Sequence, residues 1–110
     1  MKLHILWTSS DPDTFFKMVS MYAGNAGKKG WWEEVSIIIW GGSARLAGEH
    51  LAVQRRLKDL MGAGVEIRAC RACAEQIGVD ATLEALGVDV DYMGEPLTNI
   101  LKGDEKLLTI

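Results

Sequence analysis

The chain holds two cysteines, and they stand together as Cys70-Arg71-Ala72-Cys73. A C-x-x-C pair serves redox, metal-binding or nucleophilic chemistry, because each of these runs through the thiolate. The pair follows Val65 to Ala69, which reads as a buried strand, and it precedes a segment that reads as a helix. Cys70 is therefore expected near a helix N-terminus, where unpaired backbone N–H groups and the helix dipole favour an anion. A thiolate stabilised in that way titrates below the free value of about 8.5. Arg68 and Arg71 add positive charge close by in sequence. The competing role for Cys70 is a small buried apolar residue at a strand end, a common fate of free cysteine. Cys73 lies one helical turn further on. It serves either as a second thiol that resolves an oxidised or sulfur-loaded Cys70, or as core filler between Ala72 and Ala74.

Each chemistry demands company. A thioredoxin-like dithiol follows the first strand of its core unit and faces a cis-proline; this pair follows the third strand, and the chain has only Pro12 and Pro96. A structural zinc site needs about four ligands. Here only His4 and His50 are available to join the cysteines, one mid-strand and one near the start of a helix, so no metal is expected. Sulfur handling asks for less: one thiolate that accepts a sulfane sulfur as a persulfide and passes it on.

The elements that position the pair can be read from periodicity. Leu3 to Trp7, Val35 to Trp40, Val65 to Ala69, Val88 to Met93 and Lys106 to Ile110 read as strands. The second is a continuous apolar run, as suits a parallel strand buried on both faces. Asp11 caps a first helix with Pro12 at its first position, and Gly24, Gly27 and Gly30 end it. Helices are expected from Ala47 to Met61, from the cysteines to Ile77, from Asp80 through Leu86, and from Gly94-Glu95-Pro96 to Leu101. Strands alternating with helices predict a single α/β domain over residues 1–110, a three-layer α/β/α sandwich with a mostly parallel five-stranded sheet. Right-handed crossovers collect the strand-to-helix loops on one edge. Thr8 to Asp11, Gly41 to Ser43, Cys70 to Cys73 and Met93 to Glu95 thereby become one candidate site. Trp40, Gly41, Gly42, Ser43 and Arg71 are its expected pocket lining.

Other features carry less chemistry. Gly41-Gly42-Ser43 lacks the spacing of a phosphate-binding loop and reads as a tight strand-to-helix turn. Thr8-Ser9-Ser10 has the hydroxyls of a flavin phosphate loop but no glycine, and Asp11 and Asp13 would repel a phosphate. No cofactor is implied. His50 reads as a surface residue, and His4 as a strand residue with a satisfied hydrogen bond.

Composition narrows the setting. The chain has 110 residues, 48% hydrophobic and 25% charged, with net charge −3. Nucleic-acid binding needs clustered Lys and Arg. The one modest cluster, Arg55, Arg56 and Lys58, reads as a solvated helix face, so no nucleic-acid partner is expected. No apolar run approaches the ~20 residues of a membrane span, and the N-terminus lacks a secretory pattern. A reducing cytoplasm is the default, and there a cysteine pair is reactive more often than structural. Four tryptophans are many for so small a core, which points to burial between subunits of a homo-oligomer.

The chain resembles the DsrE/DsrF-like superfamily, which includes TusD-type sulfur-relay subunits and YchN-like proteins. The resemblance is carried by Ile37-Ile38-Ile39-Trp40-Gly41-Gly42-Ser43-Ala44, Gly64-Val65-Glu66-Ile67-Arg68-Ala69-Cys70, Gly78-Val79 and Tyr92-Met93-Gly94-Glu95-Pro96-Leu97. In relay members a cysteine closes the third strand and a Gly-Val pair follows eight residues later. The resemblance thus implies that Cys70 carries the persulfide, while Cys73 stands where relay subunits often have a small residue. It also implies trimers or hexamers, and sulfur donor and acceptor proteins as partners.

Overall fold

The alternation of apolar runs and amphipathic segments folds into one sheet and six helices. The structure, a computed structural model, describes residues 1–110. The strands are β1 (Lys2–Trp7), β2 (Glu34–Ile39), β3 (Glu66–Cys70), β4 (Asp89–Asp91) and β5 (Lys106–Thr109). Their order is β4-β3-β2-β1-β5. Every neighbouring pair is parallel, so the sheet expected to be mostly parallel is parallel throughout. A helical crossover follows each of the first four strands, and that leaves no place for a hairpin.

The first helix, α1, begins at Pro12–Thr14, widens into a π-helical stretch at Phe15–Val19 and continues as Ser20–Lys28. Asp11 caps it as expected, its carboxylate accepting from the Thr14 amide at 3.1 Å. It then runs through Gly24 and Gly27 rather than stopping at them. Gly24 gives the Arg56 guanidinium room to lie against the helix and donate to the Ser20 carbonyl at 3.2 Å. The remaining helices are α2 (Gly42–Glu49), α3 (Leu51–Gly62), α4 (Arg71–Ile77), α5 (Asp80–Leu86) and α6 (Gly94–Lys102). The single helix expected from Ala47 to Met61 is therefore two helices. The chain turns extended at His50, and this residue caps α3: its Nδ1 accepts from the Val53 amide at 3.3 Å. His50 is thus a capping residue and only half-exposed.

Strand direction and order decide what covers each face. The steps β1 to β2, β2 to β3 and β3 to β4 all move the same way across the sheet, so right-handed crossovers put α1 to α5 on one face. The step from β4 back to β5 reverses and puts α6 alone on the other. The core divides accordingly. Ile5, Trp7, Ile37, Ile39, Ile67, Ala69 and Val90 join the large cluster under α1 to α5. Ile38 and Cys70 pack with Met93 and Ile100 in a small cluster under α6. Period-two alternation along the strands separates the two sets. On the α6 face, lower down, His4 and Ser36 are paired neighbours on β1 and β2. Both are buried, joined at 2.6 Å, with the Glu105 carboxylate on the other imidazole nitrogen at 2.9 Å. No helix is long and apolar enough to cross a membrane.

Candidate functional site

Cys70 ends β3 and occupies the N-cap position of α4. Its side chain points to the α6 face, is 5% exposed and is surrounded by Ile38, Met93 and Ile100. Leu6, Trp40, Leu107 and Cys73 close the rim of this cluster. Cys70 makes no side-chain cap bond to α4. Its environment is apolar and nearly dry.

Cys73 is held differently. It is half-exposed and touches both core clusters. Its Sγ accepts from the Gly41 amide at 3.2 Å and, as a thiol, donates to the Gly41 carbonyl at 3.6 Å. A thiolate would keep the first contact and turn the second into a repulsion. The turn after β2 is thus brought to Cys73, and Cys73 reads as the tether between α4 and that turn. Gly41 takes φ +72°, a conformation that glycine adopts without the cost of a Cβ. Both free thiols lie on one helical turn of the same edge, unbridged.

The neighbouring candidates sort out by their hydrogen bonds. Trp40 is half-buried against the Cys70 cluster. Ser43 is buried beneath the turn: its hydroxyl donates to the Trp7 carbonyl and accepts from the Trp40 amide at 3.0 Å. It locks the ends of β1 and β2 together rather than facing a thiol. Gly42 is exposed and lies against Ser10, where an added Cβ would meet the Ser10 Cβ at 3.0 Å. The Arg71 guanidinium turns toward α5 and β4, donating to Glu84 at 3.3 Å and to the Val90 carbonyl. Arg68 lies between Glu66 and Asp89, its Nε 3.6 Å from the Asp89 carboxylate. Both arginines close to Cys70 in sequence are therefore engaged by carboxylates.

None of the cavities in the structure is lined by the cysteines, Trp40, Gly41 to Ser43, or Arg71. Trp40, Met93 and Ile100 fill the space where a pocket was expected. A cavity of about 270 Å³ does open on the same edge, between the β1–α1 loop and the end of α2, bounded by Ser10, Arg45, Leu46, Glu49 and His50. Sequence spacing gave no sign of it, because a loop and a helix end meet only through the fold. No group of three His, Cys, Asp or Glu side chains converges as a metal site would require.

Solved structures supply the relatives. No protein-family model matches the chain, and no curated protein matches it. YchN from E. coli shares the fold at TM-score 0.71 and 17% identity, over 100% of this chain and 99% of that one. MTH1491 from Methanobacterium thermoautotrophicum, a protein of unknown function, does so at TM-score 0.72 and 17% identity, over 99% and 98%. These two likenesses establish a YchN-like fold and no more. BT1422 from Bacteroides thetaiotaomicron, a conserved protein of unknown function, is 44% identical with TM-score 0.97, covering 99% of this chain and 94% of that one. The chain belongs to the family of that Bacteroides protein.

Proposed function

We propose that the protein is a small sulfur carrier of the DsrE/DsrF-like type, in which Cys70 accepts a sulfane sulfur and passes it on as a persulfide. The observation that carries this reading is the setting of Cys70. It closes the third parallel strand at the helix-bearing edge, in a nearly dry apolar cluster that would shield a bound sulfur from water and soluble thiols. The step balances simply. The Cys70 thiolate attacks the outer sulfur of a donor persulfide, the donor's S–S bond breaks, and the donor leaves as a thiolate. The new Cys70–S–SH then gives its outer sulfur to an acceptor thiolate by the same exchange. Cys73 orders the turn at Gly41 and borders the route to Cys70. Such a carrier works in a reducing cytoplasm with a donor and an acceptor protein.

We also infer a homo-oligomer, a trimer or hexamer. Trp31, Tyr92 and Leu101 stand 55%, 63% and 65% exposed. Trp and Tyr are enriched among the anchors of interfaces, which favours Trp31 and Tyr92 in that role. Light scattering on the purified chain tests this, and a monomer at micromolar concentration refutes it.

The carrier reading is tested by intact mass. The reduced protein is incubated with a sulfane-sulfur donor beside Cys70→Ala and Cys73→Ser. One added sulfur on wild type and Cys73→Ser, and none on Cys70→Ala, is the expected pattern. No adduct on folded wild type, or an adduct that survives Cys70→Ala, overturns it. A second reading, a non-catalytic assembly module, is favoured by the 5% exposure of Cys70. It is supported instead if Cys70 resists both the donor and a small thiol reagent until the protein unfolds.

A further inference from the structure

The cavity bounded by Ser10, Arg45, Leu46, Glu49 and His50 has a charge pattern that the cysteine chemistry does not use. Arg45 and Glu49 are one helical turn apart on α2, with Nη1 and Oε1 at 3.3 Å. This contact uses one edge of each group. The remaining guanidinium N–H donors and the second carboxylate oxygen are free for a ligand. His50 adds a donor of fixed identity. Because its Nδ1 accepts from the Val53 amide, the ring proton sits on Nε2. The ring is braced by Phe16, edge to face at a centroid distance of 6.1 Å. Ser10 brings a hydroxyl, and Leu46, buried on α2, supplies an apolar floor.

This set discriminates between charge types. A simple anion would reach Arg45 but meet the Glu49 carboxylate beside it. A simple cation would reach Glu49 but meet the guanidinium. A molecule bearing a carboxylate and an ammonium on one carbon matches both, with the carboxylate on Arg45 and the ammonium on Glu49. Its side chain would lie over Leu46 toward the Phe16–His50 pair. The volume, about 270 Å³, falls just below the range of roughly 300–1,000 Å³ that holds larger ligands. It suits a single residue-sized molecule.

We propose that this cavity is a binding site for a free α-amino acid with an apolar side chain. The site is independent of the sulfur-carrier reading. At about 100° per residue, Leu46 lies about 160° and Glu49 about 100° around α2 from Gly48, with Arg45 about 60° away. Gly48 is the residue that abuts Val79 at the α4–α5 junction. The amino-acid cavity and the cysteine-bearing helix therefore flank α2 on different sides.

The test uses the full chain and amide-resolved NMR titration. The probes are free amino acids, with L-leucine beside 4-methylpentanoate, which lacks the ammonium, and isoamylamine, which lacks the carboxylate. Binding should shift Ser10, Arg45, Glu49 and His50, and both half-ligands should bind at least tenfold more weakly than leucine. Glu49→Gln and Arg45→Gln should each weaken binding at least tenfold. They change an exposed i,i+4 pair, so folding is little affected. Cys70→Ala should bind as wild type does. The proposal is overturned if no amino acid shifts these residues at about 10 mM, well above a weak millimolar site. It is equally overturned if 4-methylpentanoate binds as well as leucine, or if Glu49→Gln leaves affinity unchanged.

Discussion

Gly48 offers the sharpest test of how the candidate site is held together. It lies in α2, whose preceding Gly41 bonds Cys73, and it meets Val79 where α4 passes into α5. A Cβ at position 48 would stand 2.4 Å from Val79 Cγ1, 2.5 Å from its Cβ and 3.1 Å from its Cγ2. Favourable carbon contacts lie at about 3.5–4.0 Å. Rotating Val79 moves its methyl groups but not its Cβ, so the backbone of α2 or of the junction must yield. Overpacking of this kind costs about 1–3 kcal/mol, and the need for backbone movement places Gly48→Ala near the top of that range, about 3 kcal/mol. Alanine returns about 1 kcal/mol through its better helix propensity. The net expectation is about 2 kcal/mol of destabilisation. Val79→Gly removes all three obstructing atoms and leaves a glycine at the N-cap of α5, where it is tolerated. It should cost about 1.5–3 kcal/mol in lost burial. In the Val79→Gly background the clash is gone and only the propensity gain remains. Gly48→Ala should then stabilise by about 1 kcal/mol, reversing the sign of its effect. Urea unfolding of the four proteins of this cycle measures it. An effect of one sign in both backgrounds refutes the packing argument.

Two further outcomes follow from the α6 face. Glu105 accepts from His4, and that bond first, helped by the charge of His4 and Lys2, holds its carboxyl below the ordinary 4.5. A lowered folded-state value means that the unfolded chain binds the proton more readily, so the increment is present above pH 4.5 and fades as pH falls through the folded value. Glu105→Gln should therefore lower the urea midpoint at neutral pH and lose that deficit in strong acid; a deficit that persists at low pH contradicts the assignment. Ile100 and Met93 form the α6 side of the lid on Cys70. Ile100→Ala should cost about 2–5 kcal/mol and speed Cys70 labelling by a thiol reagent under native conditions far more than Cys73 labelling; equal acceleration at both would show that α6 is not the barrier.

Much of the architecture could be read from the chain because each level of the sequence agreed with the next. The apolar run from Val35 to Trp40, broken only by Ser36, and the alternating Val65 to Ala69 both read as buried parallel strands, and Cys70 followed as a strand end. The disagreements are tertiary. Gly42 is a poor helix former, yet α2 starts there, because Ser43 must tuck under Trp7 and Trp40 while Gly42 lies against Ser10. The break at His50 has no glycine or proline to announce it; an imidazole capping the Val53 amide does the work usually given to serine or aspartate. The fourth strand shrank to Asp89–Asp91, since only these residues pair with β3 before Tyr92 and Met93 turn into α6. In the candidate site, adjacency to Cys70 misdirected the reading of Arg71, whose guanidinium Glu84 and Val90 hold.

The asymmetry between the two thiols follows from the same topology. A strand alternates its side chains between faces, and a helix that begins at the strand end turns the next ones around its own axis. Cys70, the last residue of β3, falls to the face that receives only α6. Cys73, in the first turn of α4, reaches back to the turn at Gly41. One thiol is consequently covered by a nine-residue helix, the other tied to the backbone of the layer built from α1 to α5. A single docked helix opens at lower free energy than a whole domain unfolds. The buried cysteine is thus the one whose exposure the fold can vary without unfolding, and the half-exposed one is the one held in place. On the carrier reading proposed above, in which a sulfur is sheltered and then surrendered, that division favours Cys70 for the cargo and Cys73 for the positioning.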